Sequence, residues 1–196
     1  EDTMIIGDGT AATRHTTNGT SFTNTTSAPV AQFFTDFQNR IWAGGTASSE
    51  FYSNVGTPTD WTNDSSSISI PGPGKINHSF KANDRLVIPK NSGVMLRYDG
   101  DNLMDLATNW GPSSPQSLSS LGKYSFYLNR YGVFGFGGAE PEIVSNQVEK
   151  LIYNDTGSAI VGTAFDNAPG VAHRYDYILS VGSIADDLTN EPINNA

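Results

Sequence analysis

The chain has 196 residues, 11 basic against 20 acidic side chains for a formal net charge of −9, 20 glycines, 10 prolines and no cysteine. That length suffices for one domain with a sizeable core. The acidic balance argues against a general nucleic-acid binder, which needs a basic face, and no direct sequence-specific nucleic-acid partner is expected; the missing thiols exclude disulfides, thiolate metal sites and a cysteine nucleophile. No run approaches the roughly 18 apolar residues of a membrane span. The N-terminus, Glu1-Asp2-Thr3-Met4, resembles neither an initiator start nor a signal peptide, and the C-terminus stops in polar sequence. Both point to a processed product or part of a longer polypeptide.

In chain order, residues 1–27 are rich in Asn and Thr and read as an irregular N-terminal segment. From residue 28 the apolar residues fall into short runs bounded by Gly, Pro, Asn and Asp, the pattern of strands and turns. The runs are Arg40–Ala43, Glu50–Tyr52, Ser67–Ile70, Arg85–Ile88, Val94–Tyr98, Tyr124–Leu128, Gly132–Phe136, Glu142–Val144, Ile160–Phe165 and Tyr175–Val181. One segment departs from the pattern. Val148, Leu151 and Ile152 follow i, i+3, i+4 spacing behind Ser145 as N-cap, with Asp155 and Gly157 as the stop. This predicts a short helix near 145–153.

Arg40, Arg85, Arg130 and Arg174 recur at intervals of 45, 45 and 44 residues. Each follows a polar or turn-forming residue (Asn39, Asp84, Asn129, His173) and leads an apolar strand. A period of about 45 with several strands per period is the spacing of a propeller blade. A lone blade cannot bury both faces, whereas stacked blades can. The expected fold is therefore all-β and propeller-like over residues 28–196, with about four blades of ~45 residues. The abrupt ends favour further blades from a longer chain or a partner. Each guanidinium is expected at a hairpin, bonding carbonyls of a neighbouring loop or pairing with an acid.

Candidate chemistry is sparse. His15, His78 and His173 lack metal-ligand spacing and read as surface or turn residues. Asp99-Gly100-Asp101-Asn102 with Asp105 offers oxygen ligands, but lacks the length and terminal Glu of an EF-hand loop and reads as a solvated hairpin. Asp186-Asp187 reads as a loop pair, and Gly135–Gly138 as a turn without the basic residue and helix of a phosphate site. Five Asn-x-Ser/Thr sequons are about what chance supplies in a chain so rich in these residues. No metal, cofactor or catalytic residue is expected, and the chain is not expected to be an enzyme. The hairpin Tyr52–Trp61 partly resembles the Asp-box of sialidase-like propellers, with Val55 in place of the Asp and one extra residue before Trp61. That box stabilises a turn and implies no catalysis.

A wider resemblance rests on three stretches. Ala28–Gly45, containing Asn39-Arg40-Ile41-Trp42-Ala43-Gly44, and Glu50–Trp61, containing Tyr52-Ser53-Asn54-Val55-Gly56-Thr57-Pro58, look like the first blade of propeller proteins in tailed-bacteriophage virions. Tyr124–Phe134 resembles their Gly-Val strand, followed by Ile143–Ile152 and the aromatic strand Arg174–Val181. The order covers residues 28 to about 182, with 1–27 and the loop Asn109–Gly122 outside it. The resemblance implies a virion protein of the neck or tail, packed with other virion proteins in a homo-oligomeric or symmetric ring assembly. It implies no active site. The alternative reading is a module binding glycans or a host-surface receptor, with Trp42, Trp61 and Trp110 as stacking faces; a glycosidase on the same fold ranks below it.

Overall fold

The computed structural model describes residues 2–45, 47–62, 67–107, 109–145, 153–154, 157–158, 168–174 and 176–180. The chain divides into two compact units, Glu1–Gly111 and Pro112–Ala196.

In the first unit, β1 (Met4–Ile6), β2 (Arg14–Thr16) and β3 (Thr23–Asn24) form a three-stranded antiparallel sheet in chain order. This corrects the expectation of an irregular N-terminal segment. The threonines that looked like loop composition serve as β-branched strand residues at Thr16 and Thr23. Two four-stranded antiparallel sheets follow: β4 (Phe33–Phe37), β5 (Arg40–Gly44), β6 (Ser49–Tyr52) and β7 (Ser67–Ser69), then β8 (Phe80–Ala82), β9 (Arg85–Pro89), β10 (Met95–Tyr98) and β11 (Leu103–Ala107).

The second unit holds a third four-stranded sheet, β12 (Ser119–Leu121), β13 (Tyr124–Asn129), β14 (Gly132–Phe136) and β15 (Pro141–Ile143). Two hairpins follow, β16 (Tyr153–Asn154) with β17 (Gly157–Ser158) and β18 (Gly170–His173) with β19 (Asp176–Leu179). Within every sheet, each strand pairs with its sequence neighbour. Repeated four-stranded meanders are the blade architecture, so the fold is all-β and propeller-like. Among the described residues, the helical content is one 3-10 turn, Pro115–Ser117. With β12, that turn breaks up the expected loop Asn109–Gly122. Residues 146–152 of the expected helix and the expected strand Ile160–Phe165 lie outside the described residues. At the helix borders, Ser145 is a buried loop residue whose Oγ accepts the Val133 N–H at 2.9 Å, and Tyr153 opens a strand.

The hairpins explain the arginine period. The turns Gln38-Asn39 and Asn83-Asp84 have positive φ at both central residues (52° and 56°, 46° and 56°). This is the two-residue turn whose twist matches paired strands. Arg40 and Arg85 then open β5 and β9, opposite Phe37 and Ala82. In the later units the arginine shifts into the turn itself. Arg130 lies between the paired residues Asn129 and Gly132, and Arg174, at φ 55°, between His173 and Asp176. The period therefore marks a hairpin each time, but the third lies between the second and third strands of its sheet, because β12 precedes it.

Alternation assigns the faces of the first sheet. Phe33, Phe37 and Trp42 turn toward the second sheet, where Leu86, Ile88 and Leu96 answer them in one buried cluster with Ile70 and Ile76. Tyr52 and Tyr98 pack at its margin. The opposite face of the first sheet carries Ala31 and Ala43, with Trp61 folded over them. In the second unit, Tyr127, Leu128, Phe134 and Phe136 are buried, and the Tyr127 and Phe134 rings stack at 5.8 Å and 5°.

Candidate functional site

The seam between the first two sheets ends in a cluster of aromatic and charged groups. Trp42 lies 4.8 Å from Tyr52, 5.4 Å from Tyr98 and 6.0 Å from Phe37, centroid to centroid. Its Nε1 donates to the Phe37 carbonyl at 3.1 Å, so the one polar atom of the indole is satisfied inside the core. The Arg40 guanidinium sits 4.9 Å above the Tyr52 ring and donates to the Ser53 carbonyl at 2.8 Å. This matches the expected contact between a hairpin arginine and a neighbouring loop. The β10–β11 turn closes the cluster. Asp99 Oδ1 accepts the N–H groups of Asp101 and Asn102, at 3.0 and 2.8 Å. Those bonds, the Asn102 one foremost, hold its carboxyl below the usual carboxylate range. Gln38 Nε2 reaches over from the first hairpin to the Asp99 carbonyl at 3.2 Å. Tyr98 donates its hydroxyl to the Gly100 carbonyl, and burial pushes its phenol up.

Deeper in the same seam are two ionisable side chains without any solvent exposure, Glu50 and Lys90. Lys90 Nζ donates to the carbonyls of Ile70, Pro71 and Gly72 at 3.0, 3.0 and 2.6 Å. All three ammonium protons are thereby used, although burial pulls its pKa down. Glu50 is the opposite case. Neither carboxyl oxygen has a hydrogen-bond partner, and burial pushes its pKa up to about 8. The Ser79 hydroxyl is near enough to temper that shift, but it is directed to Thr35 Oγ1 at 3.1 Å. Thr35 in turn donates to the Ser79 carbonyl at 2.6 Å, tying β4 to the strand entering the second sheet.

The other predicted residues lie apart. Arg85 is half-buried at the second hairpin, close enough to Asp99 to help hold that carboxyl ionised. Arg130 is exposed, its guanidinium 5.0 Å over its neighbour Tyr131, and Arg174 is exposed at its turn. Trp42 and Trp61 are 2% and 4% exposed, which corrects their reading as glycan-stacking faces, since neither presents a ring to solvent. Spacing alone does not tell an inward ring from an outward one in so short a strand or turn. Trp110, at 41%, does present one.

His78 is also corrected. It stacks on Phe33 at 4.9 Å and 14°, its Nδ1 donates to the Ser79 carbonyl, and burial lowers its pKa. His15 bonds Thr25 Oγ1 at 3.0 Å, and His173 is exposed. Among the described residues, no three His, Cys, Asp or Glu side chains come together as a metal site. Asp186-Asp187 lies outside the described residues. The Tyr52–Trp61 hairpin bonds to itself and to the first turn: Asn54 N donates to Asp60 O at 2.8 Å and Trp61 Nε1 to Pro58 O at 3.1 Å within it, and Gly56 N to Asn39 O of the β4–β5 turn at 2.8 Å.

Glu50 and Lys90 escaped the sequence reading, although a signal for Glu50 exists. In Ser49-Glu50-Phe51-Tyr52 the strict alternation of a strand puts Glu50 on the same face as Tyr52. For Lys90, at the end of Arg85-Leu-Val-Ile-Pro-Lys, nothing local announces its three carbonyls, which come from residues 18 to 20 positions earlier.

No protein-family model matches the chain, and no curated protein does. Among solved structures, YCF48 bound to a D1 peptide matches at 18% identity with a TM-score of 0.46, over 71% of this chain. The chain spans about half the length of that protein, 49%. No helix among the described residues is long and apolar enough to cross a membrane.

Proposed function

We propose that the chain is a structural component of a tailed-bacteriophage virion, in the neck or tail, that packs with other subunits in a symmetric assembly and performs no catalysis. One observation carries this reading: the side chains suited to chemistry are absorbed into the blades, while large apolar side chains stand exposed on both units, Met4 and Val55 on the first among them. Arg40, Asp99 and Lys90 are engaged in turns and seams. On the second unit, Tyr124, Tyr131, Ile143, Val144, Val171 and Ile178 are 40 to 58% exposed. Val171 and Ile178 face each other across the β18–β19 ladder. Exposed apolar groups with polar surroundings suit the rim and core of a subunit interface.

The test is the mass of the native protein by sedimentation, alone and mixed with virion components. A discrete oligomer or co-assembly that Val171→Asp weakens supports the reading. A monomer that joins no virion component at any concentration removes it. The exposed indole of Trp110 supports the second reading, a glycan- or receptor-binding module. Unchanged host adsorption by virions carrying Trp110→Ala would dispose of that reading.

A further inference from the structure

We propose that Glu50 makes the seam between the first and second four-stranded sheets proton-operated: the sheets close over the neutral carboxyl, and loss of its proton to solvent loosens them. The geometry behind this is the placement of one carboxyl, wholly buried, with neither oxygen bonded, on the face of β6 that meets the second sheet. The surroundings are tight. A Cβ at Gly44 would lie 2.8 Å from Glu50 Oε2 and 2.8 Å from Phe33 Cζ. A carboxylate therefore has no room to gather waters without moving Phe33, and Phe33 is held by the stacked ring of His78. Isolated buried charge is among the costliest states a core can hold, whereas a neutral carboxyl costs far less.

The groups facing Glu50 do not rescue its charge. Strands β4, β5 and β7 contribute Phe33, Thr35, Gly44 and the paired Ile68 around it, and the charged Arg40 on this face of β5 lies at the far end of the strand, bonded to the Ser53 carbonyl. From the second sheet, the register puts Lys81, Lys90, Asp105 and Tyr98 on the facing side, the Tyr98 hydroxyl bonded to the Gly100 carbonyl, with His78 just before β8. Lys81 is half-exposed and pairs with Asp84, Lys90 is saturated by three carbonyls, and Asp105 is exposed. His78 is driven toward its neutral form by its own burial. Desolvation therefore dominates, tempered by the Ser79 hydroxyl, whose own hydrogen bond is directed to Thr35 Oγ1.

The direction of the effect follows. An unfolded glutamate titrates near 4.5 and the folded one near 8. Between those values the folded chain holds a proton that the unfolded chain releases. The stability that this carboxyl contributes is fully present below about pH 4.5, is lost as pH rises through the window, and changes no further above it. For one proton, the folded-to-unfolded ratio drops roughly tenfold per pH unit inside the window.

The experiment compares urea unfolding of the wild-type chain and Glu50→Gln from pH 5 to 9. Background titrations are common to both, so the expected result is a variant that matches or trails the wild type at pH 5 and gains on it steadily up to pH 8. Parallel profiles would overturn the proposal. Should the variant not fold, infrared spectra of wild-type protein with carbon-13-labelled glutamate decide. A protonated glutamate band at pH 7 that disappears around pH 8 supports the proposal, and its absence at pH 7 overturns it.

Discussion

The first four-stranded sheet turns Phe33, Phe37 and Trp42 onto Leu86, Ile88 and Leu96 of the second, whereas the sheet and hairpin of the second unit leave apolar residues such as Ile143, Val171 and Ile178 facing outward. Trp42 is 2% exposed and touches three rings, while Ile178, on a strand of the same repeat period, is 58% exposed. The inner face of β19 is occupied: Tyr177 packs 5.7 Å from Phe126 and gives its hydroxyl to the Ser117 carbonyl. Burial raises that phenol to about 12. One period in the sequence thus yields two outcomes. A blade with a blade against it becomes a seam, and the outward face of β18–β19 keeps the pattern of a strand awaiting cover. The difference is of partners, not of strand chemistry.

Substitutions can break this contrast or sharpen it. The largest effect is expected from Trp42→Ala, which opens a cavity in the buried cluster of the seam and should cost about 3–5 kcal/mol in urea unfolding. The matching truncation Ile178→Ala should cost less than about 0.5 kcal/mol in the isolated chain, because it removes area already in water. Equal losses would mean the two faces are equivalent. Next is Lys90→Met, which keeps the apolar stem but strands the carbonyls of Ile70, Pro71 and Gly72. The expected loss is about 1–3 kcal/mol by the same assay.

A smaller effect separates the periodic arginines. Arg40→Lys gives up the ring contact and the fixed bond to Ser53, for roughly 0.5–1 kcal/mol, while Arg174→Lys should leave the unfolding midpoint unmoved. The smallest is a gain. Asp84→Gly creates the Asn-Gly pair that this turn type prefers and forfeits only an exposed ion pair at 3.5 Å, so thermal unfolding should rise by the equivalent of about 0.5 kcal/mol.

These contrasts show which parts of the molecule were legible in the sequence. Strands led by arginine were, since a turn residue, a cation and four or five apolar residues form a compact signal; Gly132–Phe136 was placed to the residue. Their partners were not. β8 is only Phe80-Lys81-Ala82, and β18 is Gly170-Val-Ala-His173, compositions that carry little strand preference of their own. They are strands because β9 and β19 offer them a ladder. The buried indoles were similarly hidden. Trp42 and Trp110 look alike in a sequence, and only the facing sheet decides that one is core and the other surface. Glu50 was masked by its chemistry, because a lone acidic residue in a strand is ordinarily read as the solvent side, and Lys90 was the hardest, its partners lying 18 to 20 positions away.

The meander connectivity of the sheets also shapes how the chain reaches this structure. Among the described residues every ladder joins strands adjacent in sequence, so each four-stranded sheet needs only short loop closures, and its contacts are local by the standards of β proteins. A growing polypeptide can therefore complete one sheet before the next has emerged. The contacts that must wait are those across the seam, Thr35 with Ser79 and Lys90 with the carbonyls of residues 70–72. Folding should show a fast local phase set by the hairpins and a slower docking phase set by the seam, with truncation of Trp42 altering chiefly the second.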